Sequence, residues 1–348
     1  MRDLKYLAAY LVPASAMIGL YAREGWSWLT LILVFGILPL VELFTPKSTE
    51  NVPETEEEER SRRWLFDVLL YLNAPLLFGI TGWFLWVLAF QDITWAETLG
   101  LTLATGIVAG ANGINVAHEL GHRTRKGEQW LAQLMLIPTL YQHFFVEHNR
   151  GHHKNVATDA DPASARRGEW VFAFWLRSIT GGWQNAWKLE KERLAKSGLP
   201  TLHHDNAMLR YLVCQSAWLL GITCFFGVKG LMGSLGVALI GVLLLETVNY
   251  IEHYGLRRAI LPSGRPEPVS PQHSWNSDHE LGRIFLYELT RHSDHHYKAT
   301  RKYQVLRHMD ESPQLPFGYP ASIVMSLLPP VWFKVMDHKI HREERAYH

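Results

Sequence analysis

The stretch TWAETLGLTLATGIVAGANGINVAHELGH, residues 94–122, decides how the rest of the chain is read. Residues 94–117 are apolar and long enough to cross a hydrocarbon core. They are rich in small side chains (Gly100, Ala104, Gly106, Ala109, Gly110), which let helices approach closely inside a membrane. They run without a break into His118-Glu-Leu-Gly-His122. His118 and His122 are four residues apart, a spacing that sets both imidazoles on one helix face, able to converge on a metal. A metal site is therefore expected where a helix leaves a membrane.

Three further histidine clusters follow: Glu147-His148-Asn-Arg-Gly-His152-His153, Asn249-Tyr-Ile-Glu-His253 and Arg291-His292-Ser-Asp-His295-His296. The cluster Asn249–His253 also closes an apolar run. Nine clustered histidines exceed one tetrahedral site and suggest two metals held almost entirely by nitrogen.

Hydropathy and charge placement predict an all-α integral membrane bundle of six transmembrane helices with a histidine-rich metal-binding region on the cytoplasmic side. The expected spans are 6–21, 26–44, 65–90, 94–117, 207–227 and 231–250, and the metal-site segments are 118–206 and 251–348. Residues 1–348 read as a single membrane-embedded domain. The first run has signal-peptide features at Pro13-Ala-Ser-Ala16, but a second run starts almost at once and favours a retained hairpin. Residues 46–63 read as a solvated loop, 169–183 as an amphipathic interfacial helix, and 320–336, broken by Pro329-Pro330, as re-entrant or interfacial. Of 34 Lys and Arg, only Arg23 and Lys229 fall in the first, third and fifth loops. The positive-inside rule then places the N-terminus and all four histidine clusters in the cytoplasm. Fourteen tryptophans suit two bilayer interfaces, and a formal charge of +1 gives no argument for nucleic acid.

Ligand type alone does not name the metal, since imidazole suits zinc, copper, iron and nickel. His118-Glu119-Leu-Gly-His122 by itself matches a zinc peptidase helix with Glu119 as base, yet such an enzyme needs three protein ligands rather than nine. Soluble carboxylate di-iron proteins use two Glu-x-x-His motifs, and here only Glu119 to His122 has that spacing. A transporter would place ionisable groups near the bilayer midplane, where Glu246 is the one clear candidate. Cys214 and Cys224 form no CxxC pair, so any thiolate-bound iron the protein needs must come from a partner.

The motifs HELGHR, EHNRGHH, NYIEHYGL and RHSDHH, with HSWNSD at 273–278, resemble in order and spacing the AlkB-type integral-membrane alkane 1-monooxygenases. The likeness extends along nearly the whole chain, including Asp161-Pro-Ala-Ser and the Leu315-Pro-Phe-Gly-Tyr-Pro tail. This family lies within the histidine-box class of hydroxylases and desaturases. The resemblance implies two non-haem irons that insert one oxygen atom of O2 into the terminal methyl of a medium- to long-chain alkane taken from the bilayer. It implies electrons from rubredoxin, reduced by an NAD(P)H-dependent reductase, and residence in a bacterial inner membrane. Carried over position by position, it implies nine ligands: His118, His122, His148, His152, His153, His253, His292, His295 and His296. Thr290 stands where the family often has Gln and touches no ligand.

Glu119, Glu147, Glu252, Asp278 and Asp294 sit beside these histidines and are candidates to accept a ligand's second N–H. His143 and His273 are expected as nearby hydrogen-bonding residues, and His203, His204, His308, His338, His341 and His348 as solvated. Rubredoxins are acidic, so Arg123, Arg125, Lys126, Lys298, Arg301 and Lys302 are candidates to steer docking.

Overall fold

The protein is described by a computed structural model covering the backbone of residues 2–346 and the side chains of 3–340. His348 and the side chain of His341, expected to be solvated, lie outside the described residues. Among the described residues there is no β-strand, only three isolated bridges such as Lys47 with His279. Five helical stretches among the described residues are long and apolar enough to cross a membrane: Asp3–Ala22, Glu24–Glu42, Trp64–Phe90, Trp95–Gly121 and Ala207–His253. The last spans 47 residues and is interrupted at Gly227, whose φ of 64° and ψ of −164° are open to glycine alone.

The chain divides into two compact units. The first comprises Met1–Ile37, Arg63–Val146 and Ala186–Leu245. Its organising helix, Trp95–Gly121, starts in a capping box: Thr94 Oγ1 accepts the Glu97 N–H at 3.2 Å, and Glu97 Oε2 accepts the Thr94 N–H at 2.8 Å. Further along, a side chain at Gly106 would begin 2.5 Å from Ile240 Cβ, and one at Gly110 would begin 2.9 Å from Leu244 Cδ2. These two glycines, one turn apart, let the helix carrying Ile240 and Leu244 lie against the Trp95–Gly121 backbone. Between them and His118 the helix widens into a π-turn, Ala109–Ile114. Widening adds a residue to the turn and so rotates everything after it by about 100°. Asn112 in that turn donates to Asn73 Oδ1 at 2.9 Å, a buried interhelical bond worth about 1 kcal/mol in a membrane.

The second unit comprises Leu38–Arg62, Glu147–Asn185 and Glu246–His348. Residues 46–63 were expected as a loop, but Glu54–Arg62 is helical. Glu54, Glu56 and Glu57 occupy its first turn and Arg60 and Arg62 its last, the order a helix dipole favours. With no apolar face, it leaves no periodicity to read. The preceding segment is bound to the fourth histidine cluster through buried Arg291, which donates to the Leu306 carbonyl at 2.6 Å, the Glu50 carbonyl at 2.7 Å and Asn51 Oδ1 at 3.2 Å. Proline opens the helix Pro329–Ala346, a first-turn position where its missing N–H costs nothing. An amphipathic helix does form near 169–183, running over Val171–Lys196.

Candidate metal centre

The second unit brings seven of the nine motif histidines into two groups. In the first group, His152, His253, His292 and His296 are all buried, and their ring nitrogens converge. Nε2 of His296 lies 2.9 Å from that of His292 and 3.2 Å from that of His152, and the His292 and His253 Nε2 atoms are 3.2 Å apart. In the second group, His153 Nε2 lies 3.0 Å from His148 Nε2 and 3.1 Å from His295 Nε2.

The local backbone explains the division. Residues His148–His152 form a π-turn, in which positions five apart come together. His148 therefore meets His153, and His152 turns toward the other group. The spacing of four in the second motif suggested His148 with His152; their rings do stack at 5.1 Å, but their nitrogens serve different groups. In the fourth motif, the short helix His292–Tyr297 keeps α-geometry, so His292 and His296 share one face and His295 takes the other. In the first unit, the His118 and His122 rings pack edge to face at 5.0 Å.

These residues fit a metal. A neutral imidazole nitrogen carries either a lone pair or a hydrogen, and four Nε2 atoms facing one another leave lone pairs opposed unless a cation lies among them. Nitrogens about 2.1 Å from a common metal stand roughly 3.0–3.4 Å apart. The observed 2.9–3.2 Å matches that edge.

One carboxylate orients a ligand directly, and it was not among the five candidates. Asp161 Oδ2 lies 2.9 Å from His152 Nδ1, both fully buried. Accepting the Nδ1 proton fixes the tautomer that leaves the Nε2 lone pair facing the group. Asp161 is itself held by the Ser164 hydroxyl at 2.5 Å and the Ala163 N–H at 3.1 Å. Its sequence signal was Asp161-Pro162, an Asx-turn start eight residues past the motif. Burial opposes charge on both partners, while their mutual attraction and hydrogen bond raise His152 above the ordinary imidazole value and lower Asp161 below the ordinary carboxylate value. His296 is held well below the ordinary imidazole value by burial and by the neighbouring imidazoles, which keeps it in the neutral form a metal binds.

Of the five carboxylates expected beside the ligands, Glu252 Oε2 lies 3.2 Å from His292 Nε2, with the Tyr319 hydroxyl donating to its other oxygen at 2.9 Å. Glu119 accepts from Arg123 Nε at 2.9 Å, and Glu147 from Asn185 at 3.1 Å. Burial, reinforced by Asp161, raises the Glu147 carboxyl to about 7. Asp294 clamps Arg301 with both oxygens at 2.7 Å, and Asp278 pairs with His308 Nδ1 at 3.0 Å. His308, expected in solvent, is thus bound between Asp278 and Asp310. His143 packs against Tyr141, with ring centroids 4.3 Å apart, and His273 pairs with Glu267 at 3.1 Å.

The segment HSWNSD at 273–278 couples the third and fourth motifs. The Trp275 N–H donates to the Glu252 carbonyl at 2.8 Å, while Asn276 Oδ1 accepts the Ser293 N–H at 2.8 Å.

Residues 93–323 match the fatty acid desaturase family. The chain is 43% identical to alkane 1-monooxygenase 2 of Pseudomonas aeruginosa, over 93% of this chain and 86% of the relative. It is 39% identical to alkane 1-monooxygenase 1 of Alcanivorax borkumensis, over 96% and 84%. The chain belongs to the alkane 1-monooxygenase family. The xylene/toluene monooxygenase hydroxylase component of Pseudomonas putida is also similar, at 26% identity over 97% of this chain. Family membership removes the peptidase role first weighed for Glu119, and the buried histidine groups are suited to holding a metal.

Proposed function

We propose that this protein hydroxylates the terminal methyl of medium- to long-chain n-alkanes to 1-alkanols. One atom of O2 enters the alcohol and the other leaves as water, with two electrons and two protons consumed. The observation that carries the reading is the convergence of four buried Nε2 atoms at 2.9–3.2 Å in a chain of this family. Iron bound there supplies the oxygen activation that an unactivated C–H bond requires. The chain's own residues position and shield: Asp161 fixes the His152 tautomer, and complete burial of the four imidazoles keeps water away.

The full ligand set is His118, His122, His148, His152, His153, His253, His292, His295 and His296, holding two irons. His152, His253, His292 and His296 serve one of them. Residues 1–348 act as one membrane-embedded hydroxylase. The break at Gly227 supports counting Ala207–His253 as two spans, six in all. The scarcity of Lys and Arg in alternate loops supports a cytoplasmic N-terminus and metal site in a bacterial inner membrane.

Electrons come from rubredoxin, kept reduced by NAD(P)H through its reductase. Two of the six cations expected to steer it do not face solvent. Arg123 is buried on Asp67 and Glu119, and Arg301 is buried on Asp294. Lys298 is exposed and Lys302 partly so, as a docking role requires.

The decisive experiment measures metal content of detergent-purified protein together with octane turnover, supplied with rubredoxin, its reductase and NADH. Two irons per chain and 1-octanol are expected. One zinc and no alcohol would overturn the assignment.

A further inference from the structure

At the end of Trp95–Gly121 remote from His118, the first unit carries an open groove of about 910 Å³. It lies between the end of Trp64–Phe90, the start of Trp95–Gly121 and the segment just after the Gly227 break. Leu88, Ile93, Leu99, Val228 and Met232 make it mostly apolar. Its floor is closed by tight contact, since a side chain at Gly233 would begin 2.4 Å from Leu88 Cδ2. Trp95, 80% exposed at the first residue of its helix, stands where aromatic rings mark a bilayer interface.

The rim carries both signs of charge. Lys229 and Asp92 line the groove and are exposed. Arg23 reaches the rim by donating to Gln91 Oε1 at 3.3 Å. Glu97 is committed to the Thr94 cap and to the Glu24 N–H. An anionic lipid calls for a clear excess of cations. Two cations facing Asp92 and the nearby glutamates offer none. A hydrocarbon alone would need no rim charge at all.

We propose that this groove holds one phospholipid with a zwitterionic phosphate–ammonium headgroup. The acyl chain lies along Leu88, Leu99 and Met232, the phosphate meets Lys229, and the ammonium meets Asp92. The Gly227 break sets this register, because it ends one helix and places Val228 and Lys229 at the groove mouth. The inference needs these helices to sit in a bilayer and is independent of the hydroxylase reading.

The test places the whole protein in nanodiscs of equal phosphatidylethanolamine and phosphatidylglycerol, extracts it with mild detergent, and counts retained lipid by native mass spectrometry. About one phosphatidylethanolamine per chain is expected, enriched at least fivefold over phosphatidylglycerol. Lys229→Glu should reduce that retention at least fivefold, and so should Thr98→Trp, which fills the groove from a partly exposed position. Thermal melts confirm that each variant folds, and if Thr98→Trp fails to fold, Lys229→Glu decides. Retention in the nanodisc ratio, enrichment of phosphatidylglycerol, or retention unchanged in a folded variant would overturn the proposal.

Discussion

Replacing Asp161 with alanine tests the orientation of His152 without touching a ligand. In the native protein the carboxylate takes the His152 Nδ1 proton at 2.9 Å and leaves Nε2 free to bind. Without it, the imidazole can rotate or change tautomer, placing a hydrogen where a lone pair is needed. Removing such a partner lowers metal affinity by about 10–100-fold, or roughly 1.4–2.8 kcal/mol. The Ser164 hydroxyl and the Ala163 N–H also lose their acceptor, each costing about 1–3 kcal/mol if left buried and unpaired. Asp161→Asn keeps the shape and an acceptor oxygen, so it should fall between wild type and alanine. The assay follows iron release to a ferrous chelator by absorbance, with circular-dichroism melts to separate metal loss from unfolding. We expect Asp161→Ala to release iron at least tenfold faster while still folded. Wild-type release kinetics in a folded Asp161→Ala protein would refute the claim that this carboxylate sets the His152 tautomer.

Gly106→Val should destabilise by about 1–3 kcal/mol, since its side chain would start 2.5 Å from Ile240 Cβ, whereas Gly79→Val, with open space around it, should leave the melting temperature unchanged. Burial holds the His143 imidazole down at about 4, against 6.5 when unfolded. Between those values the unfolded chain binds more protons, so stability is full above pH 6.5 and falls as pH drops toward 4, by up to about 3 kcal/mol. His143→Phe should flatten that slope in denaturant titrations across the same window. Charge reversal at Lys298 and Lys302 should raise the apparent KM for rubredoxin severalfold at low salt and flatten its rise with salt, with kcat little changed, in steady-state assays with purified rubredoxin.

Sequence reading was strongest where one residue type at one spacing has a single use. The apolar run ending at His118 identified a membrane helix feeding a metal motif, and Trp95–Gly121 is that helix. Gly100, Gly106 and Gly110 marked close packing, because only glycine admits another helix so near its backbone. Less legible were elements whose order comes from polar partners distant in sequence. Glu54–Arg62 has no apolar face, and His308 becomes bound only because Asp278, thirty residues away, folds beside it. Arg123 and Arg301 looked like surface charge, since nothing local announces the buried carboxylates that hold them.

By itself, the sequence determined that the chain is helical, rich in apolar spans and supplied with nine clustered histidines, because hydropathy and side-chain chemistry are local properties. Only the tertiary structure decided how those histidines are shared. The π-turn at His148–His152 sends His152 to the group of His253, His292 and His296 and leaves His148 facing His153. A single residue of backbone winding, invisible to motif spacing, makes that choice, and Asp161 then locks it through a hydrogen bond between buried groups.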